Sequence, residues 1–230
     1  MITKTIALLA RLLLGGLLIS AVLARLFFPE AVAEGTGFPP NAAAWLNIMD
    51  ETGYLESLVY LTEFMIGLAL ISGIFVPLAL VVFAPIHLNI TLFHIFLDWQ
   101  PIRIVQVIVM ALLHLTLIYL YRKSYASLFE RSIFQSPRWP QINVALLHLP
   151  RMLLGIAFLI PGAAKLFVPE LLSQGDFLID GIKATGYLYP LLGLSEVVGG
   201  LLLLSNRYIP FALVWLAPVT LNILDRKSVV

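Results

Sequence analysis

Long apolar runs separated by short polar punctuation dominate the chain. The runs predict helices over residues 6–28, 54–71, 76–97 and 102–121 and, after a polar stretch, over 151–168, 188–204 and 208–224. Each approaches the roughly 20 residues a helix needs to cross a hydrocarbon core. The breaks have chemical causes. Pro29-Glu30 closes the first helix, because proline has no N–H for the ladder. Gly73 and Pro77 mark a tight turn, and Asp98-Trp99-Gln100-Pro101 precedes the fourth helix. Pro85 and Pro161-Gly162 fall inside helices, where kinks are expected. Residues 42–49, with Trp45, read as a short helix at the membrane–water interface.

The pattern occurs twice. Thr52-Gly53-Tyr54-Leu55 recurs as Thr185-Gly186-Tyr187-Leu188, and Glu63, Gly67, Pro77, Pro85 and Asn89 recur as Glu196, Gly200, Pro210, Pro218 and Asn222, at a constant offset of 133. About half of the positions from 185 to 223 match their counterparts. Upstream, the stretch from Arg11 to Glu30 recurs from Arg151 to Glu170 at an offset of 140, and the difference falls in a polar loop that tolerates insertion. A tandem duplication follows. The expected organisation is a four-helix unit over 1–124, a linker over 125–149 and a second unit over 150–230 with three helices. The abrupt end inside or just after the third helix of the second copy points to a C-terminally truncated chain; the alternative is a protein built with seven helices. Four helices per copy bring both copies in from the same side of the membrane, as parallel repeats.

Composition agrees with the pattern: 60% of residues are hydrophobic and only 12% charged, against about 25% charged in soluble domains. The fold class is therefore an all-α integral membrane protein, tandem parallel repeats of a four-helix bundle with seven transmembrane helices. Lys4 and the small residues from Ser20 to Ala24 imitate a signal peptide, but recurrence of the same helix inside the chain makes it structural. Lys4, Arg11, Arg122, Lys123, Arg131, Arg138, Arg151 and Arg207 fall on one side, which places that side and the N-terminus in the cytoplasm. The expected location is the inner membrane of a bacterium or archaeon. A net charge of +1 without a basic aromatic patch gives no reason to expect nucleic acid, and the absence of cysteine removes disulfides and thiolate chemistry.

The candidate chemistry lies inside the apolar helices. Glu63 and Glu196 are ionisable groups where such groups are expensive and usually face a partner or a cavity. Their role is either proton handling and ligand binding or a structural, paired carboxyl. Arg25 and Lys165 occupy equivalent positions one turn from the ends of their helices and are the expected ion-pair partners, unless they snorkel to the headgroups. Tyr54 and Tyr187 could line a ligand, although aromatics at helix ends usually anchor at the interface. Asn89 and Asn222 suit hydrogen bonds across helices, and Gly67, Gly199 and Gly200 suit close packing. His87 and His94 share a face but sit about 10 Å apart along the axis, too far for one ion. His87 and His114 fall at similar depth on antiparallel helices. A hydrogen-bonding core histidine is the expectation there, with a bis-histidine haem between the two helices as the weaker alternative.

Taken together these residues resemble the DoxX/DoxD family of compact four-helix membrane proteins. The resemblance rests on Arg11 and Gly15 (Arg151 and Gly155) opening the first helix, and on Arg25-Leu26-Phe27 (Lys165-Leu166-Phe167) closing it. Thr-Gly-Tyr, an inner Glu followed by glycine, and the run from Pro85 to Asp98 complete the set. The second copy departs from the family pattern by lacking its fourth helix. Family function is poorly defined: some members are similar to the membrane subunit of a thiosulfate:quinone oxidoreductase, and others associate with redox-stress enzymes. The resemblance thus implies an accessory membrane subunit, not a self-sufficient enzyme, with quinone as the one implied cofactor and an oxidoreductase as the implied protein partner. The competing reading is a non-enzymatic small-molecule carrier or membrane scaffold.

Overall fold

The computed structural model describes residues 2–29, 37–129, 144–170 and 177–226, and among them every regular element is helical. The linker charges Arg131 and Arg138 and the loop acid Glu34 lie outside the described residues. The helices are α1 (Ile2–Phe27), α2 (Pro40–Glu51), α3 (Leu55–Ser72), α4 (Val76–Phe96) and α5 (Pro101–Leu120). A 3-10 helix (Arg122–Phe129) follows, then α6 (Val144–Phe167), α7 (Phe177–Ala184), α8 (Leu188–Leu204) and α9 (Ile209–Arg226).

Sequence and structure differ at three places. Residues 42–49 extend to the whole of α2, which starts at Pro40, a residue whose missing N–H costs nothing at a first helical turn. α6 begins at Val144 and runs through Pro150, although proline there suggested a start at Arg151. Pro150 sits near the beginning of α6 and is itself exposed. α7 occupies what read as loop, because eight residues carry too short a period to stand out.

Among the described residues, five helices are long and apolar enough to cross a membrane: α1, α3, α4, α5 and the part of α6 from His148 to Phe167. The pair α7 and α8, bent by 102°, counts as a sixth if taken as one span, and Ile209–Thr220 of α9 is a shorter apolar helix. The chain is a multi-pass, all-helical membrane protein.

Two compact units emerge, Met1–Ser124 with Asp180–Thr185, and Tyr125–Ile179 with Gly186–Val230. In the first, α1 packs along α3, and α5 closes against α1 and α4. Leu14, Leu18, Leu70, Leu80, Phe83 and Leu117 form its centre. In the second, α6 packs along α8, which also holds α9, around Phe158, Leu203, Ile209, Ala212 and Leu216.

In each unit two helices meet backbone to backbone at a pair of glycines. A Cβ on Gly15 would lie 2.9 Å from the Gly67 carbonyl oxygen, and one on Gly200 would lie 2.8 Å from the Gly155 carbonyl oxygen. No side chain fits there, so the backbones of two antiparallel helices touch, as small residues permit in membranes. The α3–α4 turn uses a left-handed residue at Gly73 (φ 81°), and the α8–α9 turn uses Asn206 (φ 57°), asparagine being among the few other residues that tolerate it. Two residues on, Phe75 and Tyr208 are left-handed as well (φ 55° and 53°).

Candidate functional site

The α1–α3 seam of the first unit is fastened at three levels. At one end Arg11 reaches across: its Nε donates to the Leu70 carbonyl at 2.8 Å and its Nη2 to the Ile71 carbonyl at 3.3 Å. These are carbonyls of the last turn of α3, which have no donor within their own helix. Gly15 and Gly67 meet in the middle. Toward the other end Arg25 Nη1 donates to Glu63 Oε2 at 3.2 Å.

The α6–α8 seam of the second unit repeats each level. Arg151 Nη1 donates to the Leu203 carbonyl at 2.9 Å. Gly155 and Gly200 meet in the middle. Lys165 Nζ donates to Glu196 Oε1 at 2.7 Å and Oε2 at 2.5 Å. Glu63 and Glu196 are both buried, at 3% and 2% exposure. Arg11 and Arg151 were read only as family and orientation signals. Their capping role was nevertheless encoded in the Arg-x-x-x-Gly spacing, since residues four apart share a helix face.

The two charge pairs differ in their surroundings. The Arg25 side chain is 40% exposed, and its guanidinium lies 5.2 Å from the centroid of the Tyr60 ring. The Tyr60 hydroxyl in turn donates to Glu56. The Lys165 side chain is only 12% exposed. Gly193 stands at the repeat position of Tyr60, and a Cβ there would lie 3.0 Å from the Lys165 Cβ. A shorter cation therefore lies flat against a glycine in the second unit, while a longer one leans on a tyrosine in the first. The aromatic ring against Arg25 is thus Tyr60, a residue the sequence reading passed over. Tyr54, half-buried, and Tyr187, buried, instead take the N-cap positions of α3 and α8.

The first unit carries a further polar group where α4 turns into α5. Asp98 is fully buried, and its Oδ2 accepts from His94 Nδ1 at 2.8 Å and from Arg103 Nη1. The Arg103 guanidinium lies 4.4 Å over the Phe38 ring, and Phe93 stands edge-on to both Phe38 and His94. From sequence His94 is a candidate, Asp98 reads as a turn residue and Arg103 as part of the helix over 102–121, although His94 and Asp98 are four apart. Because His94 gives its Nδ1 proton to the carboxylate, a neutral ring keeps a lone pair on Nε2.

His87 and His114, expected at similar depth, also touch, with Nδ1 to Nδ1 at 2.9 Å. His114 Nε2 donates to the Leu80 carbonyl at 3.0 Å, so its Nδ1 is the acceptor and His87 Nδ1 the donor. Phe83 stacks on His87 and tilts against His114. Facing nitrogens at 2.9 Å are too close to hold a metal between them, since ligands at about 2.0 Å each stand about 4 Å apart in line. This is a hydrogen-bonded core pair. Asn89 is half-buried on α4, and the side chain of Asn222 lies outside the described part of α9.

The spans and seams define a multi-pass helical membrane protein. Over residues 146–224 it is DoxX-like: the DoxX family model matches that segment, which runs from the start of α6 into α9. No curated protein and no solved structure matches the chain.

Proposed function

We propose that this chain is an accessory membrane subunit of a quinone-linked oxidoreductase system, and that the quinone headgroup is met by the first unit near His94. The observation that carries the reading is the His94–Asp98–Arg103 group. A buried carboxylate held by two cationic or hydrogen-bonding partners orients His94, and its Nε2 lone pair accepts a hydrogen bond from a quinol hydroxyl. Phe96 and Trp99, both exposed beside it, supply aromatic surface for the ring. The oxidoreductase partner exchanges the two electrons; this chain binds and orients the ring, and His94 Nε2 takes up one of the two protons when the quinol is oxidised and returns it when the quinone is reduced, water carrying the other. The proposed topology has α8 and α9 as the sixth and seventh spans, with the N-terminus and the interunit linker in the cytoplasm. The two charge pairs are structural in this reading.

A short-chain quinol titrated into the protein in nanodiscs tests it, followed by ultraviolet difference spectroscopy. Saturable binding that His94→Ala weakens about tenfold or more, with His148→Ala unchanged, supports the site. A second reading, a non-enzymatic scaffold or carrier, is favoured by the commitment of both intramembrane carboxylates to cations. No saturable binding by either protein would decide for it.

A further inference from the structure

The two seams repeat a charge pair but leave different parts of the cation engaged. In the first unit Glu63 takes a single N–H of Arg25, at Nη1. Among the described residues the Nε–Nη2 edge of that guanidinium has no acceptor, and the side chain is 40% exposed. Arg11 shows what the same edge does when engaged: it grips two carbonyls at once. The Arg25 guanidinium stands over the Tyr60 ring, 5.2 Å from its centroid, and the Tyr60 hydroxyl donates to Glu56 Oε1. Glu56 is half-buried, and its Oε2 accepts from no described residue. One tyrosine ring therefore separates a free donor edge from a free acceptor oxygen. The second unit lacks the arrangement. Gly193 stands in place of Tyr60 and Tyr189 in place of Glu56, and Lys165 donates to both oxygens of Glu196.

We propose that Arg25, Tyr60 and Glu56 form a site for phosphoethanolamine, a zwitterionic phosphate–ammonium group. The phosphate follows from geometry. The planar Nε–Nη2 edge matches two phosphate oxygens as it matches two carbonyls, through parallel charge-assisted hydrogen bonds. The ammonium follows from charge. Arg25 and Glu63 cancel formally, so Glu56 leaves the group with a surplus negative charge. That surplus disfavours a purely anionic ligand and calls for a cation at the free carboxylate oxygen. A primary ammonium donates there, whereas a trimethylated one has no N–H to give. Position argues that a lipid headgroup supplies the ligand. Arg25 lies in the last turn of α1 and Glu56 in the first turn of α3, at one end of two spans. Headgroups flank the hydrocarbon core at that level. Phe27 and Phe28, 70% and 66% exposed, follow Arg25 closely in the chain and offer apolar surface to the lipid below its headgroup. The inference depends neither on the quinone reading nor on which side of the membrane this end faces.

Native mass spectrometry of the delipidated full chain in detergent tests the site. The probes are dioleoyl phosphatidylethanolamine, phosphatidylcholine and phosphatidylglycerol, titrated separately. We expect the first phosphatidylethanolamine to bind about tenfold more tightly than either of the others. Glu56→Gln should abolish that preference, while Glu51→Gln, at an exposed acid of α2, should leave it intact. Arg25→Lys keeps a charge for Glu63 but loses the fork, and should weaken phosphatidylethanolamine binding about tenfold. Glycerophosphoethanolamine, the same group without acyl chains, separates the sources. Displacement of the lipid only at large excess assigns the lipid, displacement at equal concentration assigns a soluble ester, and either result supports the site. Equal affinity for the three lipids, or a preference that survives Glu56→Gln, would overturn the proposal.

Discussion

Lys165 Nζ donates to both carboxylate oxygens of Glu196, at 2.7 and 2.5 Å, beneath a surface that leaves the carboxylate 2% exposed. Arg25 and Glu63 meet through one bond at 3.2 Å, with the guanidinium half in the open. The same position in the repeat thus holds a closed pair in one unit and an accessible pair in the other. The cause is local: Gly193 makes room for the lysine to lie flat, whereas Tyr60 props the arginine outward. Further polar groups stand beside the accessible pair, through Tyr60 and its partner Glu56.

The arginine that opens each seam should behave as a helix cap. Charge-assisted hydrogen bonds of this kind contribute about 1.5–3 kcal/mol. Arg11→Ala and Arg151→Ala should each lower the unfolding free energy in detergent by an amount in that range. Arg11→Lys should recover only part of it, because one ammonium cannot match two carbonyls as a fork does. Equilibrium unfolding in mixed micelles measures this; a lysine variant no better than alanine would show that the fork geometry is irrelevant.

The glycine crossings should tolerate nothing larger. A Cβ at Gly200 would press on the Gly155 carbonyl, which cannot swing aside as a side chain can. Gly200→Ala is expected to cost about 1–3 kcal/mol by forcing the helices apart. Gly16→Ala, with open space at that point, should be neutral or slightly stabilising. The thermal midpoints of the two variants, compared side by side, decide it.

Topology has its own check. Asn41 on α2 and Ser124 in the 3-10 helix are both exposed. With an impermeant maleimide on intact cells, Asn41→Cys should label and Ser124→Cys should label only after lysis. The reverse pattern would turn the chain over.

Much of this was legible without coordinates, for identifiable reasons. Duplication made Glu63 with Glu196, and Arg25 with Lys165, stand out, because a polar group repeated in an apolar helix has few roles other than pairing. Helix depth alone placed His87 and His114 at the same level, but not that their rings touch. What stayed hidden depended on the third dimension. Tyr60 looked like any aromatic in an apolar run until its ring proved to lie under Arg25. Asp98 looked like a turn residue, since nothing local reveals that Arg103 and His94 both converge on one of its oxygens.

The central claim is that the repeated charges are structural partners, and a double-mutant cycle on Lys165 and Glu196 tests it most directly. Lys165→Ala should cost about 3–5 kcal/mol by leaving a buried carboxylate alone, and Glu196→Gln should also destabilise by stranding the ammonium. The double variant should lose less than the sum, by about 1–3 kcal/mol. The Arg25–Glu63 cycle should show a smaller coupling, because solvent already reaches the guanidinium. Losses at Lys165 and Glu196 that add to within about 0.5 kcal/mol would contradict the account.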